Sequence, residues 1–172
     1  MTPLPAALGG TEFVAWRLDR KRHVATWDSG EGACLFGGRW NRAGVRAVYC
    51  AVDPATAILE VAVHKGLHVL DTDPHVMTRF RVDAASVHIV RPADVPNPNW
   101  LRPGSPGAGQ QRFGDELLAA HPFVLIPSVA SPFSWNLLFV AANASGRYQL
   151  VEQHPFALDT RLNPPGPPLT PP

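Results

Sequence analysis

The chain has 172 residues, 45% of them hydrophobic and 17% charged, and its formal net charge is +1. That length suits one domain with its own core, and so little charge advertises neither a nucleic-acid nor an acidic-membrane partner. Two cysteines, Cys34 and Cys50, make no CxxC pair, and the histidines lack any HExxH or zinc-like spacing, so buried free thiols and no metal are expected.

Residues 1–11 read as a leader without the charged start and apolar stretch of a signal peptide, and no apolar run is long enough to span a bilayer. A cytoplasmic protein is expected. Nineteen prolines and fourteen glycines cut the sequence into short elements. "EFVAWRL" (12–18) reads as a strand, and the basic run "RLDRKRH" after it, interrupted by Asp19, as a solvated strand end or turn. The glycine-rich "GEGACLFGGRWNRAG" reads as a loop whose backbone can come close to a ligand. "VRAVYCA" (45–51) is a buried strand.

Next comes the clearest helix, 54–65: Asp53 is a good N-cap, Pro54 fits the first helical position and Gly66 follows the last. "VMTRFRV" (76–82) alternates as a strand with one buried face, and "VHIV" (87–90) is another. "RPADVPNPNWLRPGSPG" is a proline-rich connection with local turns. "GQQRFGDELLAA" is a second helix, weakened by Gly114. "PFVLIPSVAS" is a buried strand running into a turn, "WNLLFVAAN" is strand or helix, and "RYQLVEQHPFALD" supplies one or two last strands. The tail 163–172 is expected to be extended. Strands mixed with two helices, without regular alternation, predict an α+β fold.

Seven side chains beyond this scaffold invite a chemical reading. On the helix 54–65, Thr56, Glu60 and His64 fall on one stripe. It is either a plain solvent face or the wall of a cleft. Arg39, after two glycines, has a planar fork suited to phosphate oxygens, or is a turn arginine stacked on Trp40. Tyr49 is a binding platform or a core ring with a satisfied hydroxyl. Ser128 has no GxSxG elbow and suits a turn hydrogen bond; Asn136 is open. Neither a Rossmann fingerprint nor a P-loop is present.

The order of these stretches resembles the RES domain family of bacterial toxins. The resemblance runs through "WRL" (16–18), "GGRWNRAGVRAVYCA" (37–51), "ATAILEVAVH" (55–64), "FGDELL" (113–118), "IPSVASPFSWNLL" (126–138) and "FALDTRL" (156–162). It covers about residues 12–162, which would be the RES domain, with 163–172 as a tail. One departure is that Phe139 stands where family members carry a second asparagine. The resemblance implies a compact α+β fold similar to ADP-ribosyltransferase toxins. It implies an enzyme that cleaves NAD, its substrate, at the nicotinamide–ribose bond and so arrests growth. It also implies a helix-turn-helix (Xre-like) antitoxin that blocks the site, DNA contact only through that antitoxin, and a homodimer within the complex.

In such a site Glu60 would stabilise positive charge on the ribose, Arg39 would hold the pyrophosphate or a ribose hydroxyl, and Tyr49 would cover the nicotinamide. Ser128 and Asn136 would position the ribose or carboxamide, with Arg17 and His64 as further NAD-binding residues. The acceptor stays open: water for a glycohydrolase, phosphate for a phosphorylase, or a protein side chain for an ADP-ribosyltransferase. A non-catalytic antitoxin-binding module is the alternative from another class. A ribonuclease is disfavoured by the near-neutral charge.

Overall fold

The computed structural model describes residues 12–162 apart from 103, 105 and 132. The expected leader 1–11 and tail 163–172 lie outside the described residues. Seven strands of the described residues form one mixed sheet: β1 (Glu12–Arg20), β2 (Val48–Ala51), β3 (His75–Asp83), β4 (Val87–Ile89), β5 (Phe123–Pro127), β6 (Trp135–Phe139) and β7 (Tyr148–Phe156). Their order is β4-β5-β6-β2-β1-β3-β7, and only β4 and β5 run parallel. Among the described residues four α-helices accompany it: α1 (Glu31–Phe36), α2 (Pro54–Lys65), α3 (Leu67–Thr72) and α4 (Ala108–Ala120). The α+β expectation agrees with this architecture.

Strand alternation assigns the core to two faces. Phe13, Ala15, Phe80, Phe123, Leu125, Leu137 and Phe139 pack on one face around Trp27. The other face divides. Val124, Ile126 and Leu138 meet Leu118 of α4, whereas Leu18, Ala51 and Met77 meet Ala57 of α2 and Leu70 of α3. β5 and β6 are buried at every residue, which is why they read as continuous apolar runs.

The sequence reading needs correction in three places, and two open alternatives are decided. The stretch 30–44 holds α1, a helix too short to display an apolar period. Gly30 (φ +61°) opens it and Gly37 (φ +71°) closes it. A Cβ on Gly30 would lie 2.3 Å from the Arg46 carbonyl oxygen. After α2 the chain turns at Gly66 (φ +83°) and resumes at once as α3, which local composition did not announce. Of the two segments left open, 135–143 is a strand as far as Phe139, and 147–159 supplies a single strand. Cys50 is buried as expected, but Cys34 is half-buried; both are free thiols.

The basic run ends β1 and enters a 3-10 turn at Lys21–Thr26, and the proline-rich connection carries a 3-10 turn at Pro92–Asp94. Among the described residues no helix is long and apolar enough to cross a membrane.

Candidate active site

β1 and β2 are sheet neighbours with a single register pair, Trp16 opposite Ala51, whereas β1 pairs with β3 along nine residues. The sheet therefore parts on one side of β1. A cleft of about 340 Å³ opens there, lined by β1, β2, the 37–39 loop and α2. That volume is at the small end of small-molecule sites.

Arg17 bridges the parting. Its Nη1 donates to the Tyr49 carbonyl at 2.6 Å, while Nε and Nη2 form a fork on the Asp19 carboxylate. Arg17 and Asp19 are two apart on a strand and so share a face. The guanidinium takes the place of the missing ladder bond, and Asp19, 8% exposed, offsets its charge. Burial works against the Arg17 cation, but Asp19 holds its pKa above the ordinary arginine value. Beside it, burial pushes the Cys50 thiol up to about 12 and leaves it inert.

Asp53 locks the start of α2. Its Oδ1 accepts from Thr56 N at 2.8 Å; its Oδ2 accepts from Thr56 Oγ1 and Ser134 Oγ, both at 2.7 Å. Partial burial opposes the charge, yet these donors, Ser134 foremost, lower the carboxyl pKa. The cap thus ties the helix to the 128–134 loop, 81 residues away. Thr56 is buried under that loop at 4% exposure, so the Thr56–Glu60–His64 stripe is no solvent face. It grades from a buried threonine through a mostly covered glutamate to an exposed histidine.

Glu60 is held by one oxygen. Ser128 Oγ donates to Oε1 at 2.7 Å, and Asn136 Nδ2 donates to the same atom at 2.6 Å. Ser128 is fully buried, and its oxygen also accepts from Ser131 N at 2.9 Å. Among the described residues Oε2 meets only the distant His64 Nε2, at 3.8 Å, which is too far for a hydrogen bond. One carboxylate oxygen is thus committed to the scaffold and the other is left for the cleft.

The opposite wall is the 37–44 segment. Tyr49 Oη donates to Asn41 Oδ1 at 2.7 Å and accepts from Trp40 N at 3.1 Å. Asn41, with no exposure, donates to the carbonyls of Ala33, Arg42 and Val45. Burial pushes the Tyr49 pKa up, so the phenol stays neutral. Gly38 admits this ring: a Cβ there would sit 2.5 Å from Tyr49 Oη.

Arg39 reaches the proline-rich connection. Its Nη1 donates to Trp100 O at 3.1 Å and Arg102 O at 3.4 Å, and Nη2 to Gly104 O at 3.4 Å. Of the five N–H groups of a guanidinium, Nε–H and one on Nη2 make no hydrogen bond among the described residues. The Trp40 and Trp100 rings meet at a tilt of 54° with centroids 5.8 Å apart, and Arg39 bonds to the same connection without a stacking contact on Trp40 among the described residues.

α4 braces this wall from behind. Gln111 Nε2 donates to Gly38 O at 2.9 Å, and Asp115 accepts from Arg42 N at 3.1 Å and Arg42 Nε at 2.6 Å. A Cβ on Gly114 would lie 2.0 Å from Trp40 O. The glycine that weakens the helix on paper is thus what lets α4 lie against the loop.

Of the residues singled out from the sequence, Arg17, Arg39, Tyr49, Glu60, His64 and Asn136 line one cleft. Ser128 stands behind it, on Glu60. Sequence reasoning missed Asp19, Asn41, Asp53, Gln111, Asp115 and Ser134. Of these Asp53 carried a signal as a helix cap, Asn41, Asp115 and Ser134 lay inside the family-like stretches without standing out, and Asp19 and Gln111 carried none.

The RES domain profile matches residues 14–159. "Toxin Res" of Photorhabdus laumondii is 30% identical over 154 residues, covering 87% of this chain and 97% of the relative. "Prs ADP-ribosylating toxin" of a Sphingobium strain is 31% identical over 143 residues, covering 77% of this chain and 84% of the relative. Among solved structures, the toxin–antitoxin complex MbcT–MbcA of M. tuberculosis aligns with TM-score 0.69 at 22% identity over 85% of each chain. At that identity the likeness speaks for the fold.

Proposed function

The chain belongs to the RES domain family, and from that membership we propose that it is the toxin of a toxin–antitoxin pair, an enzyme that breaks the nicotinamide–ribose bond of NAD. The observation that carries this reading is Glu60: a carboxylate with one oxygen fixed by Ser128 and Asn136 and the other without a hydrogen bond among the described residues, in a cleft that also holds Arg39 and Tyr49.

The chemistry asks for little else. The nicotinamide nitrogen is cationic in NAD, takes the electron pair of the breaking C–N bond and leaves neutral, so no general acid is required. Positive charge develops on the ribose, as in an oxocarbenium-like glycosidic transition state. Glu60 Oε2 lies where a fixed negative charge stabilises it, and its scaffold bonds mean that no reorganisation is needed at that moment. Arg39 binds the pyrophosphate or a ribose hydroxyl through its uncommitted edge, and the Tyr49 ring covers the nicotinamide. Asn136 contributes at the ribose, and Ser128 acts through Glu60. Arg17 shapes the floor, its charge largely offset by Asp19, and His64 stands at the exposed end.

With water as acceptor, the oxygen bonds to the ribose carbon and releases a proton, giving ADP-ribose; phosphate would give the corresponding phosphate ester. Degradation of NAD by one of these routes is the preferred activity. Transfer to a protein side chain is the second reading, and the name of the Sphingobium relative favours it. The MbcT–MbcA complex supports an antitoxin partner. In this reading the partner is a helix-turn-helix protein that carries any DNA contact, the toxin pairs as a homodimer in the cytoplasm, and residues 12–162 are the catalytic domain. A binding module without chemistry remains the alternative from another class.

The test is nicotinamide release from NAD by the purified chain, beside Glu60→Gln and Arg39→Ala. Release that is lost in both folded variants supports the enzyme. Free ADP-ribose, a phosphate ester or a mass-shifted protein then names the acceptor. No release from the unmutated chain, supplied with phosphate and lysate, favours the binding module.

A further inference from the structure

The "FGDELL" stretch of α4 touches none of the cleft, yet three contacts run from the 111–115 turn of α4, which overlaps it, to the segment that carries Arg39. Gln111 donates to Gly38 O, Gly114 lies against Trp40 O, and Asp115 accepts from Arg42 N and Nε. Arg39 stands between the first two of these anchor points and three residues before the last. Its own bonds go to carbonyls of the connection that leads into α4, at Trp100, Arg102 and Gly104.

Asp115 is the unusual member of the set. Its side chain is only 10% exposed, whereas that of Arg42 is 56% exposed. A carboxylate is costly to bury without partners. Here it spends one oxygen on a main-chain N–H, which fixes backbone rather than a mobile side chain. The salt bridge to the exposed Arg42 head is worth little by itself; the bond to Arg42 N carries the constraint.

We propose that Asp115 is a positioning residue that sets affinity for the dinucleotide by fixing the loop that aims Arg39. This rests on the reading of the cleft as an NAD site. A guanidinium fork binds phosphate well only when it is held in place. Asp115 acts on substrate binding and leaves the Glu60 chemistry across the cleft unchanged.

The experiment is steady-state NAD cleavage by the full chain, with thermal melting of every variant. Asp115→Ala raises KM for NAD by about tenfold, the worth of one buried hydrogen bond to charge, and changes kcat by less than about twofold. Asp115→Asn, whose Oδ1 still accepts from Arg42 N, recovers most of the affinity. Arg42→Ala, which keeps the main-chain bond, costs less than about threefold. The decisive arm adds Asp115→Ala to Arg39→Lys, which keeps a cation without the fork. There the KM penalty shrinks to less than about threefold, because residues acting through one another are not additive.

A full tenfold penalty in the Arg39→Lys background overturns the proposal, as does an unchanged KM in Asp115→Ala or a loss confined to kcat. If Asp115→Ala does not fold, Asp115→Asn with KM raised tenfold or more overturns it too. An unmutated chain that releases no nicotinamide defeats the reading of the site, and the proposal with it. That outcome is read before any variant is made.

Discussion

The two walls of the cleft are held by different kinds of contact. The α2 wall is a regular helix whose start is fixed by a residue next to it in sequence, Asp53, and whose reactive carboxylate is gripped from beneath by Ser128 and Asn136. The 37–44 wall has almost no regular structure. Its shape comes from α4 and from the connection before α4, residues 61 to 73 positions further on. A wall built around a helix can place one atom rigidly. Both walls are tied to residues more than 60 positions away, but the 37–44 wall has no helix of its own to keep its shape without them, and it is the more fragile of the two. The proposed chemistry matches this division: charge stabilisation sits on the rigid wall and substrate capture on the assembled one.

The sharpest way to break that division is at Glu60. Glu60→Gln keeps the shape and can still accept at one oxygen from Ser128 and Asn136, so folding is preserved. Nicotinamide release falls by at least about a thousandfold, the scale of losing a preorganised electrostatic contact in a transition state. Activity within tenfold of the unmutated chain would move the chemistry off α2 altogether.

On the other wall the largest effect belongs to Gly114→Ala. The new Cβ meets the Trp40 carbonyl at 2.0 Å, and backbone cannot step aside as a flexible side chain can. The predicted cost is about 1–3 kcal/mol in stability, read by denaturant unfolding, together with a raised KM. A helix-propensity argument alone predicts the reverse, since alanine is favoured over glycine in a helix interior. The sign of the change therefore separates a packing glycine from a merely tolerated one.

That same contrast explains how much was legible in the sequence. Helix 54–65 could be bounded at both ends because Asp53, Pro54 and Gly66 are local signals. The Thr56–Glu60–His64 stripe was visible as a stripe, but not as a cleft wall. The loop that buries Thr56 and grips Glu60 comes from residues 128–136, which periodicity does not see. Arg39 and Tyr49 could be picked out through a family resemblance, whereas the reason for their placement lies in Gly38, Asn41 and Asp115. α1 escaped notice because six residues between two positive-φ glycines look like any glycine-rich turn.

Ser128→Ala asks whether the buried hydroxyl serves the fold or the carboxylate. Losing it removes one of two donors to Glu60 Oε1 and leaves Asn136 as the other. A drop in kcat of about tenfold, with stability lower by about 1 kcal/mol, is expected for one buried hydrogen bond. A stability loss without change in kcat would make Ser128 a turn residue only, and Asn136 the sole support of Glu60.

The smallest effect is in acid, at the other end of α2. Asp53 is held ionised by Thr56 and Ser134, so its folded pKa is below the ordinary aspartate value. A carboxyl with a depressed folded pKa contributes stability that is complete above the unfolded pKa of about 3.9 and is lost as pH falls through the lower folded value. Asp53→Asn can still accept from Thr56 N, and the two hydroxyls can turn to accept from its amide. At pH 7 it therefore costs only about 1 kcal/mol. Below about pH 4 the difference between the two proteins shrinks, because the native side chain is itself becoming neutral. Urea midpoints at pH 7, 5, 4 and 3 test this, with the gap closing from the top of the series to the bottom. A gap that holds constant through pH 3 would mean that the cap works by shape and hydrogen-bond count, with its charge irrelevant, and that the helix wall is as insensitive to acid as the packed core beneath it.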